Sequence, residues 1–118
     1  MLQFYQYPPC TTCKRAKKEL EELGLDFDSI NIKENPPQVE QFEAWLAQGR
    51  FKLKQFFNTS GQVYRDLGLK DKLASMDEKE ALTLLASNGM LIKRPLLIKD
   101  GELLQIGHRT SYQDLWKQ

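Results

Sequence analysis

The apolar residues of this chain fall into runs of changing period, and those periods predict its elements. Leu2, Phe4 and the aromatics up to Tyr7 form a short run that reads as a buried strand, stopped by Pro8-Pro9, which cannot donate to a ladder. Ala16, Leu20 and Leu23 then recur at helical spacing among charged residues, and Gly24 stands where a C-cap is expected. Phe27, Ile30 and Ile32 mark a second strand. Two strands joined by a helical crossover pair in parallel, with a right-handed connection. Asn35-Pro36-Pro37 caps and starts another helix, with Val39, Phe42, Trp45 and Leu46 on one side and Gly49 ending it.

From Arg50 to Lys72 the pattern is irregular: Phe56-Phe57 leads into an Asn58-Thr59-Ser60-Gly61 turn, followed by Tyr64, Leu67 and Leu69. Ser75-Met76-Asp77-Glu78 predicts a capping box for a helix that carries Ala81, Leu84 and Leu85 and closes at Asn88-Gly89. Residues 34–88 thus read as a mostly helical insert. Strand character returns from Leu91 to Ile98, and Asp100-Gly101 is a two-residue hairpin signal before a strand from Glu102 to Ile106. A last short helix, capped by Thr110 or Ser111, would bring Tyr112, Leu115 and Trp116 onto the sheet. This order predicts the α/β class, a small sheet with helices on both sides.

Length and composition narrow the picture to one domain: 118 residues, 41% hydrophobic and 28% charged, suffice for a core and argue against disorder. A net charge of +1 offers no electrostatic case for direct nucleic-acid or membrane binding. No apolar run approaches the ~20 residues that span a bilayer. Met1-Leu2-Gln3-Phe4 begins a strand pattern rather than a signal peptide, so the expected compartment is the cytoplasm, where structural disulfides are rare.

Candidate chemistry gathers where the first strand meets the first helix. Cys10 and Cys13 are the only cysteines. The free N–H groups and dipole of a helix start, with Lys14, Arg15, Lys17 and Lys18 close by, favour a thiolate at Cys10. Cys10 is therefore the expected nucleophile and Cys13, one turn on, the resolving thiol. Zinc needs four ligands, which two cysteines and one distant histidine do not supply, so no metal is expected. Inert packing of the two thiols is the other reading of this pattern. His108, the only histidine, follows Gly107 with no carboxylate beside it and reads as a surface or capping residue.

Cys10-Thr11-Thr12-Cys13 joined with Arg94-Pro95-Leu96, the Tyr64-Arg65-Asp66-Leu67-Gly68-Leu69 stretch and the run from Asn88 to Pro95 resembles the arsenate reductase (ArsC)/Spx family of thioredoxin-like proteins over nearly the whole chain. The resemblance implies a thioredoxin-like fold with a mixed four-stranded sheet, a core from residues 1–33 and 89–118, and a helical insert over 34–88. It implies a cis Arg94-Pro95 bond with Pro95 beside Cys10, and Arg94 presenting an always-charged fork to the site. Thr11, Thr12, Lys14, Asn58 and Arg109 are the expected substrate-binding positions.

Arsenate reductases of the family hold their oxyanion with further arginines, and the flanking residues put Asn58 and Gly107 at those places. Arg94 remains of that set, with Arg65 or Arg109 at neighbouring positions. Cysteine at position 13, where that branch has serine, matches the Spx branch. Its regulators bind the C-terminal domain of the RNA polymerase α subunit and sense oxidation through the pair. Their charged C-terminal extension has no counterpart before Gln118, which weighs against a regulator. The expected function is a thiol–disulfide oxidoreductase with no bound cofactor, drawing electrons from glutathione or a protein dithiol. The alternatives are an Spx-like redox-sensing regulator and a weak arsenate reductase.

Overall fold

A computed structural model describes residues 1–116, the side chain of Trp116 excepted, so the expected packing of Trp116 lies outside the described residues. The chain forms two compact units, Met1–Asn31 with the chain from Arg94 onward, and Ile32–Lys93.

The first unit holds strands β1 (Leu2–Gln6), β2 (Phe27–Asn31), β3 (Leu96–Lys99) and β4 (Glu102–Ile106), in the order β2-β1-β3-β4. Helix α1 (Thr11–Glu22) carries the chain back between β1 and β2, which therefore pair in parallel, Leu2 opposite Phe27. β3 runs antiparallel to both β1 and β4, which makes the sheet mixed. At the hairpin Asp100 and Gly101 have φ of 50° and 86°, the left-handed pair whose twist matches that of the flanking strands. Cys13, Ala16 and Leu20 form the buried face of α1. Ala16 and Leu20 pack with Leu2, Phe4, Leu97 and Tyr112. Each fully buried Leu or Phe contributes about 1.5–3 kcal/mol. Leu23, expected on that stripe, is 38% exposed, because it is the C-cap and the chain is already turning away through Gly24.

The last turn, Tyr112–Trp116, is a 3-10 helix rather than an α-helix. Ser111 caps it by accepting the Gln113 N–H at 3.1 Å, while Thr110 bonds to Gln105.

The second unit holds helices α2 (Val39–Ala47), α3 (Gln62–Asp66), α4 (Leu69–Lys72) and α5 (Glu78–Ser87). Its centre is aromatic: Phe42 meets Phe56 edge-on at 5.2 Å and Trp45 stacks on Phe56 at 6.2 Å. The stretch that reads as irregular contains a 3-10 turn at Leu53–Phe56 and the helices α3 and α4, each too short to display a period.

Helix starts differ from expectation by a few residues. Gln38, not Asn35, precedes α2, and its N–H donates to Gln41 Oε1 at 2.9 Å. Asp77 caps α5 by accepting the Glu80 N–H at 2.8 Å, a carboxylate suiting the helix dipole, whereas Ser75 donates to the Lys72 carbonyl.

The strand expected from Leu91 begins only at Leu96. Before it come a 3-10 turn, Gly89–Leu91, and an isolated bridge between Phe57 and Ile92. Gly89 does not end a helix in a left-handed conformation. A Cβ there would lie 1.9 Å from the Ile32 carbonyl oxygen, so close backbone approach demands glycine. Among the described residues no helix is long and apolar enough to cross a membrane.

Candidate active site

The chain leaves β1 through a Pro8-Pro9 turn closed by the Cys10 N–H, which donates to the Tyr7 carbonyl at 2.9 Å. Two prolines suit this turn because their φ is preset and no N–H is left to satisfy. Cys10 is the N-cap of α1, in extended conformation, and its Sγ accepts the Cys13 N–H at 3.3 Å. A sulfur thus takes the place usually held by a serine or aspartate oxygen. Cys10 is half-buried and Cys13 is buried, both as free thiols. The Cys13 thiol is pushed up to about 12, first by burial and then by its hydrogen bond to Cys10. A backbone hydrogen bond from Tyr7 and the charge of Arg94 pull weakly the other way. One thiol is reachable from solvent, and the second waits behind it.

The Arg94-Pro95 bond is cis. Leu96 pairs with Tyr5 of β1, so the residues before it run beside the end of β1 and the turn that leads to Cys10. The Arg94 guanidinium lies over the Tyr7 ring at 5.4 Å, a cation–π contact. The buried Pro95 accepts the Gly107 N–H at 2.8 Å through its carbonyl.

Of the expected substrate-binding positions, Thr11 and Lys14 are exposed and Thr12 half-buried on the first turn of α1, and Arg109 is exposed after β4. Asn58 belongs to the second unit, where its carbonyl accepts the Gly61 N–H at 3.0 Å and so closes a turn. Arg65, in the same unit, donates to the Ser60 carbonyl at 3.0 Å and to Gln62 at 3.1 Å.

His108 departs from the surface role expected of it. Its side chain is only 9% exposed, and Nε2 lies 2.8 Å from Glu19 Oε1. Glu19 also accepts hydrogen bonds from the Ser111 hydroxyl and, at 2.7 Å, from the Tyr112 N–H. Burial alone would raise the Glu19 carboxyl, but the bonds from Ser111, His108 and Tyr112 outweigh it and hold the group at about 2. It is therefore ionised at neutral pH and accepts only, so His108 Nε2 donates to it. Sequence reading misses this cluster because Glu19 stands in a charged run that looks solvated, 89 residues from His108.

A mixed sheet, a cysteine capping the first helix with a second thiol one turn on, and a cis proline opening β3 define a thioredoxin-like α/β protein with a paired-thiol site. The ArsC family model matches residues 5–112, and the chain belongs to the ArsC family. The chain is 50% identical over 116 residues to the uncharacterized protein YusI of Bacillus subtilis, covering 98% of both chains. It resembles the crystal structure of a possible arsenate reductase from Streptococcus mutans at 59% identity and a TM-score of 0.93, covering 98% of this chain and 97% of that one. The global transcriptional regulator Spx of Enterococcus faecalis is 30% identical over 107 residues, 91% of this chain and 79% of the regulator.

Proposed function

We propose that the chain is a thiol–disulfide oxidoreductase of the ArsC family, in which Cys10 attacks a disulfide substrate and Cys13 resolves the mixed disulfide. The observation that carries this reading is the buried Cys13, one helical turn behind the half-buried Cys10, with its N–H donating to Cys10 Sγ at 3.3 Å. A half-buried nucleophile at a helix start, backed by a fully shielded partner thiol, favours attack on an outside disulfide, then closure onto the neighbour. Arg94 supplies positive charge for a leaving thiolate, and the start of α1 with Thr11, Thr12 and Lys14, together with Arg109, offers groups to hold the substrate. The electrons come from glutathione or a protein dithiol and travel as thiols, so no bound cofactor is required. A reducing cytoplasm would return the pair to the dithiol state.

Mass spectrometry after exposure to oxidised glutathione tests this. The parent should lose two hydrogens, and Cys13→Ser should stop with one glutathione on Cys10. The reading fails if Cys13→Ser takes no adduct while Cys10→Ser does.

The Spx relative supports a second reading, a regulator whose Cys10–Cys13 oxidation state alters its binding to RNA polymerase, at the α subunit. A switch must bind its two states differently. Titrating the isolated C-terminal domain of the polymerase α polypeptide with reduced and oxidised protein should show no complex tighter than about micromolar. A redox-dependent complex below that threshold would favour the regulator.

A further inference from the structure

The second unit carries a cavity that the thiol chemistry does not use. It measures about 330 Å³ and is lined by Lys52, Lys54, Gln55, Phe57, Thr59 and Lys93. All six lie within Ile32–Lys93, and none is among the substrate-binding positions expected from the sequence. Local hydrogen bonds hold them in place. Around the 3-10 turn Leu53–Phe56, the Gln55 N–H donates to the Lys52 carbonyl at 2.9 Å and the Phe57 N–H to the Lys54 carbonyl at 3.1 Å. The turn buries Phe56, which leaves Lys52, Lys54 and Gln55 exposed on its outer side. Phe57 is bridged to Ile92, and on either side of that bridge the Lys93 N–H donates to Phe56 and the Asn58 N–H to Leu91, both at 2.7 Å. The backbone that presents Lys93, Phe57 and Thr59 is thus fixed before anything binds.

What the lining offers is donors. Three ammonium groups donate and cannot accept. Gln55 Oε1 already accepts the Lys52 N–H at 2.6 Å, so its NH₂ is what it can present to a ligand, and Thr59 adds a hydroxyl. Among the described residues of the lining there is no carboxylate. A concavity walled by one sign of charge, over a low-dielectric floor such as the buried Phe57, concentrates the field and draws the opposite charge. A neighbouring cavity of about 370 Å³, which shares Thr59, lacks this bias: Asp71 lines it with Lys70, and its Arg65 is engaged by the Ser60 carbonyl and Gln62.

We propose that the cavity of Lys52, Lys54 and Lys93 binds a phosphate monoester. A tetrahedral phosphate turns its acceptor oxygens in several directions, which suits ammonium groups arriving from two separate segments, whereas a planar carboxylate offers two oxygens in one plane. The organic part of the ester rests on Phe57 and the lysine methylenes. The volume lies at the lower end of the roughly 300–1,000 Å³ that small-molecule sites span.

An amide NMR titration of the reduced, full chain with phenyl phosphate, at constant ionic strength, tests the assignment. Saturable shifts are expected at Lys54, Gln55, Phe57, Thr59 and Lys93, with a Kd below about 1 mM. Inorganic phosphate and benzoate should each bind more weakly. Lys54→Ala and Lys93→Ala should each weaken binding about tenfold, in proteins that circular dichroism shows to be folded. Lys54→Arg, which keeps the charge, should stay close to the parent, as should Lys70→Ala at the neighbouring cavity. Cys10→Ser should bind like the parent, which separates this site from the thiol pair. Shifts that fail to saturate, that spread over exposed lysines at large or that centre on Thr11 to Arg15 would overturn the proposal. Unchanged affinity in Lys54→Ala and Lys93→Ala would do the same, and benzoate or inorganic phosphate binding as tightly as phenyl phosphate would remove the assignment to a phosphate monoester.

Discussion

A cysteine's reactivity depends on the fraction of thiolate and on access, and at Cys13 both are low. Cys13 is 1% exposed and its thiol is pushed up to about 12, whereas Cys10 is half-buried at a helix start. Limiting iodoacetamide at neutral pH should therefore label Cys10 at least about tenfold faster than Cys13. Peptide mapping reads the order, and labelling of Cys13 first would reverse the assigned roles. The same burial has a consequence for stability. A thiol whose folded value lies above its unfolded value of 9.0 favours folding fully below pH 9.0 and loses that contribution as pH rises toward about 12. Arg94 acts in the opposite sense, its charge lowering Cys13. In Arg94→Ala the pH profile of the resolving step should move upward, and a profile that stays put would detach Arg94 from the pair.

At the scale of elements, the Glu19 carboxylate joins α1 to the final 3-10 turn more specifically than packing does. Its folded value of about 2 lies below the ordinary 4.5, so its contribution is fully present above pH 4.5 and is lost as pH falls toward 2. Glu19→Gln should cost about 1–3 kcal/mol at pH 7 and flatten the acid limb of stability, read by urea unfolding at several pH values. An acid limb identical to the parent would mean that these hydrogen bonds contribute little in solution. Gly89→Ala tests a different contact, the approach to Ile32, and should cost about 1–3 kcal/mol or more through forced backbone movement.

Neither contact is written in local sequence. Periodicity exposes β1, α1 and the Asp100-Gly101 hairpin because each draws on neighbours a few residues apart, and the same local logic puts Cys10 and Cys13 on one helix start. A carboxylate bonded to residues some ninety positions away carries no such signature, nor does a glycine whose need is another segment's carbonyl. Helix starts at Gln38 and Asp77 slipped because several candidate caps stood within three residues of one another, and only the hydrogen bonds choose among them.

For the molecule as a whole, the matter to decide is which chemistry a family containing both possible arsenate reductases and Spx regulators performs in this chain. An oxyanion site needs several charge-assisted donors, each contributing roughly 1.5–3 kcal/mol. The two positions where arginines would be expected both carry backbone duties. Asn58 closes a turn with Gly61 in the second unit, and Gly107 has φ 75° with its N–H on Pro95. An arginine at Gly107 would pay about 1–2 kcal/mol for the left-handed conformation before gaining any anion contact. Arsenate turnover in a glutathione-coupled assay should therefore stay near background, with disulfide reduction well above it. Asn58→Arg should raise arsenate turnover less than the double variant does, and Gly107→Arg should show its conformational cost as a lowered melting temperature. Arsenate turnover by the unaltered chain that matches its turnover of oxidised glutathione would show that Arg94 suffices to hold the oxyanion. The preference for disulfide substrates would then lose its physical basis.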